Sequence, residues 1–294
     1  MSKLTYQSEV GAIKTLVLKH ARDAFVNQQK IDAEWQALNY HLAPDFARAQ
    51  AEYDELLQFF EQCGIEPTML PHDNQTTLDA IYVRDASVVC DRGVVLCNMG
   101  KPARRCEPAG QEKLFRQLGL PILGSISGAG RLEGGDVAWI DPQTIAVGRG
   151  YRSNDTGIQQ LAALLGDAIS HLEVVHLPHY KGPNDVFHLM SIFSPVDHQK
   201  ALVYSPLMPV TFREFLQQRD FALIEVPDEE FASLGCNVLA IAPGICLAKT
   251  GNPITRQRLE QAGVEIHLYT GDEISAKGEG GPTCLSRPLL RCFP

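Results

Sequence analysis

Residues 278–291, GEGGPTCLSRPLLR, set one cysteine, Cys284, among three glycines and a proline, with two arginines behind it. A thiolate is a nucleophile, and a glycine-rich loop leaves backbone N–H groups free to stabilise one. The pattern also suits a thiol buried in a turn. NDVFHLMSIF, residues 184–193, places His188 inside an apolar run. It is either a satisfied core histidine or, facing a cleft, a proton shuttle with an ordinary pKa of about 6.5. In RLEGGDVAWI, residues 131–140, Glu133 and Asp136 flank two glycines. There the chain is free to turn sharply or to approach a ligand closely, and a surface turn is the other reading. TTLDAIYVRDASVV, residues 76–89, carries Asp79 and Asp85. An extended strand would turn both to one face. A carboxylate among Ile81, Tyr82, Val83, Val88 and Val89 is costly to bury without a partner, unless it is a turn residue at a strand end.

These residues need a scaffold, and the bulk sequence allows one. The chain has 294 residues, 45% of them hydrophobic, enough for a sizeable core in one or two domains. With no long Ser/Gly linker, charge block or low-complexity tract, a single domain over residues 1–294 is the simpler reading. The net charge of −9 and pI of about 5.5 argue against nucleic acid or an anionic membrane as partner. They suit a soluble protein whose acidic cleft takes a small cation. No run reaches about 18 apolar residues, so no transmembrane helix is expected. The opening MSKLTYQSEVGAIKTLVLKH lacks a signal core, and a cytoplasmic location is the expectation. The eight cysteines form no CxxC pair. That pattern reads as reduced thiols, several of them buried, rather than as a zinc site.

Apolar spacing at Ala47, Tyr53, Leu56, Leu57 and Phe60 predicts a helix over 44–63, stopped by Gly64. Further helical patterns lie at 109–118, 155–170 and 253–262. Short β-type runs surround them: IKTLVLKH, ASVVCDRGVVLCNM, DVAWIDPQTIAVG, HLEVVHLP, ALVYSP, NVLAIAPGICLAK and VEIHLYT. Several are hairpin-like, with turn residues such as Asp91-Arg92-Gly93 and Asp141-Pro142 between the halves. The rhythm strand, strand, helix, strand recurs, which predicts an array of similar α/β modules.

Taken in order, Asp85 in VRD, Glu133 in EGGD, His188 in FHL and Cys284 in GGPTC resemble the guanidino-group-modifying enzymes. These are arginine deiminase, dimethylarginine dimethylaminohydrolase and arginine:glycine amidinotransferase. The likeness runs from EVGAIKTLVLKH, similar to the family's first strand, to the C-terminal cysteine loop. It implies a five-bladed α/β propeller of pseudo-fivefold symmetry with its active site in the central channel. It implies that Cys284 attacks the guanidinium carbon and that His188 protonates the departing amine, then activates water against a thiouronium intermediate. Glu133 and Asp85 would hold the guanidinium, and Asp79 would contact polar nitrogens of the substrate. Arg152, in GRGYRSND, is similar to an arginine that clamps the substrate carboxylate. Arg104 or Arg105 in KPARRCE would be a second clamp. The implied partner is a small cationic guanidino compound, with no metal or organic cofactor, and related enzymes often form homodimers.

Within the family the sequence is mixed. CLSRPLLR resembles the ending of arginine deiminases. Those enzymes have an Asp two residues after the histidine, whereas this chain has Met190. Dimethylarginine dimethylaminohydrolases also lack that Asp. An apolar side chain there would leave room for methyl groups, and a lost hydrogen bond would cost an unsubstituted guanidinium more. Asp79, and the absence of an inserted helical domain, point the same way. The resemblance thus favours hydrolysis of an N-methylated arginine to citrulline and a methylamine. A deiminase of arginine or another guanidino acid comes second and an amidinotransferase third. A non-catalytic propeller of the kind used by a ribosome anti-association factor comes last, because it predicts loss of the Cys, His and acid set.

Overall fold

The computed structural model describes residues 3–185 and 187–293. Met1, Ser2 and Pro294, and Val186 within NDVFHLMSIF, lie outside the described residues. Five three-stranded sheets share one topology among the described residues. In each, an antiparallel pair is followed by a helix and then by a strand parallel to the middle one. Ser87–Cys90, Gly93–Leu96 and Ile122–Ser125 form one such sheet around the helix Glu107–Gln117. Val137–Asp141, Thr144–Arg149 and His171–His176 form the next, around Asp155–Leu165. Phe193–Asp197, Lys200–Val203 and Ala222–Glu225 follow, around Val210–Gln217. Val238–Ala242, Ile245–Lys249 and Glu265–Tyr269 come next, around Pro253–Gln261. The fifth joins the chain ends: C-terminal Arg287–Pro288 pairs with Thr15–Leu18, which runs parallel to Glu66–Met69, and a sixth, smaller sheet pairs Arg291–Phe293 with Lys3–Thr5 and Ala12–Ile13. A parallel pair needs a long crossover, and the helix supplies it each time.

The helix Phe46–Gln62 shows why these residues fold locally. Asp45 caps it by accepting from the Arg48 N–H at 2.9 Å. Ala49, Tyr53, Leu56 and Phe60 form its buried stripe, each large side chain contributing roughly 1.5–3 kcal/mol by leaving water. Ala47, expected inward, is exposed. Glu52 is buried instead, and its carboxylate accepts the N–H groups of Asp272, Glu273 and Ile274, ordering the turn that leads to the cysteine loop.

One local expectation is corrected. Asp79 and Asp85 do not lie on an extended strand; they occupy two consecutive 3-10 turns, Leu78–Ile81 and Val83–Ala86. The strand begins only at Ser87. Among the described residues, no helix is long and apolar enough to cross a membrane.

Candidate active site

The five modules each present a polar residue at one place, the entrance to the first strand. Asp85 lies in the turn Val83–Ala86, directly before Ser87–Cys90. Glu133 caps the turn Gly134–Asp136, before Val137–Asp141. His188 caps the turn Leu189–Ser191, before Phe193–Asp197. Asn237 immediately precedes Val238–Ala242. Cys284 lies in the one-turn helix Pro282–Leu285, before Arg287–Pro288. Consecutive turns touch: Pro282–Leu285 meets Val83–Ala86, which meets Gly134–Asp136, which meets Leu189–Ser191. Residues as far apart in sequence as Asp85 and Cys284 are thereby gathered at one end of the modules.

Hydrogen bonds, most of them buried, link these residues and their neighbours. His188 Nε2 lies 2.7 Å from Glu133 Oε2, and His188 Nδ1 lies 4.0 Å from Asp85 Oδ1. Arg152 Nη1 donates to Glu133 Oε2 at 3.1 Å, and the Lys101 N–H donates to Glu133 Oε1 at 3.0 Å. Asp85 accepts from the Gly135 N–H at 2.9 Å and from Arg104 Nη1 at 2.5 Å. Asp136 steadies the histidine's loop, accepting from the Leu189 N–H at 3.0 Å and from Ser153 Oγ at 2.6 Å. Asn237 Nδ2 donates to Cys284 Sγ at 3.2 Å, while Asn237 Oδ1 accepts from the Thr283 N–H.

Burial would lower the His188 pKa, but Asp85, Asp136 and Glu133 surround it and raise it to about 9. At neutral pH the ring is therefore an imidazolium. Burial would raise Glu133, yet Arg152, His188 and Arg104 overcome that and hold it well below the usual carboxylate range. Burial pushes the Cys284 thiol up to about 11, and Asp85 adds to the rise against the Asn237 hydrogen bond. The site at rest is thus a neutral thiol beside a charged acid. A cation bound next to Asp85 would lower the thiol, because it opposes the carboxylate's field.

Cys284 and His188 line two cavities that meet between them. One is polar, with Asp79, Asp85, Lys101, Arg104 and Arg152 in its wall. The other contains Phe187, Met190 and Leu234. Met190, buried at 3% exposure, therefore does face the site. Arg104 is buried and reaches Asp85 and Glu107, whereas Arg105 is exposed and lines a different depression with Asn98 and Arg131. Of the pair left open in the sequence, Arg104 lies in the wall of the polar cavity and Arg105 lies outside it. Arg104 is spent on carboxylates of the protein, which makes it a support for Asp85 more than an anion clamp. Glu133 is likewise turned toward His188, Arg152 and Lys101, and lines neither cavity. Asp79 pairs with Lys101 at 2.6 Å.

Asp136 stood out in the sequence only as a flank of the glycine pair, and Asn237 escaped notice. The repeat held the signal for Asn237: it occupies the same entrance position as the other four. Asp85, Glu133 and His188 could converge on a metal ion, their ligand atoms lying within 4.8 Å of one another. Their donors are instead engaged by Arg104, Arg152 and each other, and two fixed guanidiniums oppose a divalent cation.

Glycine at 135 is required by close approach. A Cβ there would sit 2.6 Å from His188 Nδ1 and 2.7 Å from Asp85 Oδ1. Gly135→Ala is expected to lower the melting temperature, at a cost of about 1–3 kcal/mol, and to cut kcat about 10–100-fold by displacing the ring. Equal activity and melting in variant and wild type would mean that this packing is not tight in solution. The glycines before Cys284 act in the same way. A Cβ on Gly280 would run into the Tyr82 ring, and one on Gly281 would lie 2.6 Å from Asn237. Neither glycine has a positive φ, so the loop is glycine-rich because it is packed.

A family model described as N,N dimethylarginine dimethylhydrolase, eukaryotic, matches residues 22–281. An uncharacterized protein of Bacillus subtilis is 28% identical over 83% of this chain and 80% of its own length. The N(G),N(G)-dimethylarginine dimethylaminohydrolase of Pseudomonas aeruginosa is 26% identical over 83% of this chain and 89% of its own. The arginine deiminase of Listeria welshimeri is 26% identical over 71% of this chain, which spans 61% of that enzyme's length. Among solved structures, dimethylarginine dimethylaminohydrolase of Pseudomonas aeruginosa complexed with citrulline superposes with TM-score 0.74 at 21% identity, over 96% of this chain and 100% of that one. An amidinotransferase from the saxitoxin biosynthetic pathway of Microseira wollei superposes with TM-score 0.80 at 14% identity, over 98% and 97%.

Proposed function

The chain belongs to the N,N-dimethylarginine dimethylhydrolase family, and from that premise we propose that it hydrolyses an N-methylated arginine through a thiouronium bond to Cys284. The observation that carries the reading is that Cys284 and His188 line the same two cavities beside Asp85. A free guanidinium is a poor electrophile because its charge is delocalised, so positioning contributes most. Asp85 fixes its plane in the polar cavity, and Asp79 takes a polar nitrogen at the far end of the substrate. Arg152, at the same wall, is the arginine that the family resemblance assigns to the substrate carboxylate, which would share it with Glu133. The bound cation lowers the Cys284 thiol, whose proton passes to solvent, and the thiolate attacks the central carbon. His188, held as imidazolium by Glu133, gives its proton to the departing methylamine or dimethylamine. The neutral ring then takes a proton from water. The resulting hydroxide attacks the thiouronium carbon, and the Cys284 sulfur leaves with its electron pair, giving citrulline. We read residues 1–294 as one domain whose five modules close into a five-bladed propeller. The contacts between consecutive turns and the pairing of the chain ends support that reading.

The test compares arginine with Nω,Nω-dimethylarginine, following ureido product by colour and ammonia against dimethylamine by chromatography. Dimethylamine release that depends on Cys284 supports the proposal. Ammonia from arginine alone would overturn the substrate assignment and leave an arginine deiminase, the reading favoured by the Listeria relatives. Met190→Asp is expected to raise the ratio of kcat/KM for arginine over dimethylarginine about 10-fold or more, because one regained charge-assisted hydrogen bond is worth about 1.5–3 kcal/mol. An unchanged ratio would remove Met190 from the selectivity argument.

A further inference from the structure

The cavity opposite the polar one is larger and differently built. Its volume is about 70 Å³, against roughly 10–15 Å³ for a single water on the same measure. The polar cavity, by comparison, holds about 30 Å³. Tyr180, Phe187, Met190, Phe231 and Leu234 line the larger one, together with Cys284 and His188. The aromatic rings form a connected group: Tyr180 lies 5.5 Å from Phe187 and 6.0 Å from Phe231, and Phe231 stacks on Tyr204 at 3.8 Å. Asp79, Lys101, Arg104 and Arg152 lie in the wall of the polar cavity, while Arg84, Lys181, Asp185 and Glu279 also border the larger one beside its apolar group.

This division constrains the substrate. The guanidinium carbon must meet Cys284, and the nitrogen that leaves must meet His188. Both residues stand where the cavities join, so a substrate seated in the polar cavity directs its leaving nitrogen toward the aromatic one. Two methyl groups would occupy only part of that space. Unfilled apolar space forfeits contacts on one side, whereas a longer hydrocarbon regains them. The geometry points to a guanidino acid whose leaving nitrogen carries a hydrocarbon substituent larger than methyl, three to seven carbons long or benzylic. The class rests on the hydrolytic reading above and extends it from methylamines to larger primary amines. The step balances as before: water adds to the amidine carbon, the C–N bond to the substituted nitrogen breaks, and that nitrogen leaves as a protonated amine.

The experiment is a kcat/KM series on purified protein with Nω-methyl, Nω-ethyl, Nω-propyl and Nω-benzyl arginine, alongside arginine and Nω,Nω-dimethylarginine. Each added methylene that enters the cavity is expected to raise kcat/KM about fourfold, so propyl, two methylenes longer, should exceed methyl by roughly fifteenfold. Ala232 lies exposed at the rim of this cavity, where a larger side chain does not disturb the core. Ala232→Trp is expected to reduce the propyl-to-methyl ratio of kcat/KM at least about tenfold. A steady fall from methyl through propyl, or a ratio untouched by Ala232→Trp, would overturn the inference while leaving hydrolysis of the small substrates in place. Failure of every compound, methylated arginines included, would overturn both this inference and the hydrolytic reading beneath it.

Discussion

Replacement of Cys284 by Ser should lower kcat by at least about a thousandfold, the scale on which loss of a nucleophile acts, with the fold intact. Sulfur and oxygen are similar in size, and the Asn237 side chain that donates to Cys284 Sγ at 3.2 Å has an oxygen to meet instead. Substrate protection against heat should therefore persist in Cys284→Ser while product formation disappears. Mass spectrometry of quenched wild-type protein should show a covalent adduct on the peptide containing Cys284 and none in the variant. A Ser variant that keeps a tenth of wild-type turnover would sink the covalent mechanism. The thiol's ionisation gives a second, independent reading. It lies at about 11 in the free protein because of burial and Asp85. Alkylation by a neutral haloacetamide should therefore accelerate only as pH climbs toward that value. A haloacetamidine carries its own cation to Asp85 and should react well at lower pH. Equal pH profiles for the two reagents would mean that Asp85 does not govern the thiol.

The second large effect is expected at His188. His188→Gln keeps a polar group within reach of Glu133 but removes the titrating proton, and kcat should fall about 10²–10⁴-fold. The same variant should alter the dependence of stability on pH. The folded-state pKa is raised to about 9 from an unfolded value of about 6.5. The imidazolium therefore contributes its full stabilisation below about pH 6.5, and that contribution is lost as pH rises through about 9. Melting curves of wild type and His188→Gln should be furthest apart near pH 6 and converge by about pH 9.5. Parallel curves across that window would show that His188 is not charged at neutral pH. The mechanism would then lack its acid for the departing amine.

Much of this protein is legible in its sequence, for local reasons. Alternating apolar runs and the stripe Tyr53, Leu56, Phe60 mark strands and a helix because period and burial go together. The repeated strand, strand, helix, strand rhythm is visible because each module solves the same packing problem. The motifs around Asp85, Glu133, His188 and Cys284 are legible as a set because their order along the chain is specific, although each alone is ambiguous. The Asp79–Asp85 stretch misled because its apolar neighbours imitate a strand. They are buried all round two 3-10 turns, and burial on every side carries no period.

The sequence by itself determined the modular rhythm, the acidic balance of the chain and the order of the four motifs along it. Only the tertiary structure decided how those residues divide the work. Glu133, expected on the guanidinium, faces His188 and Arg152; Arg104 supports Asp85 while Arg105 lies outside; Asn237 joins Cys284; and the thiol sits between a polar and an aromatic cavity. The physical reason is that a hydrogen-bond partner or a pKa depends on angles and distances of a few ångströms between groups brought in from different modules. Periodicity within one module carries no information about its neighbours' rotation. The site exists only where strand entrances separated by up to 200 residues are packed against one another.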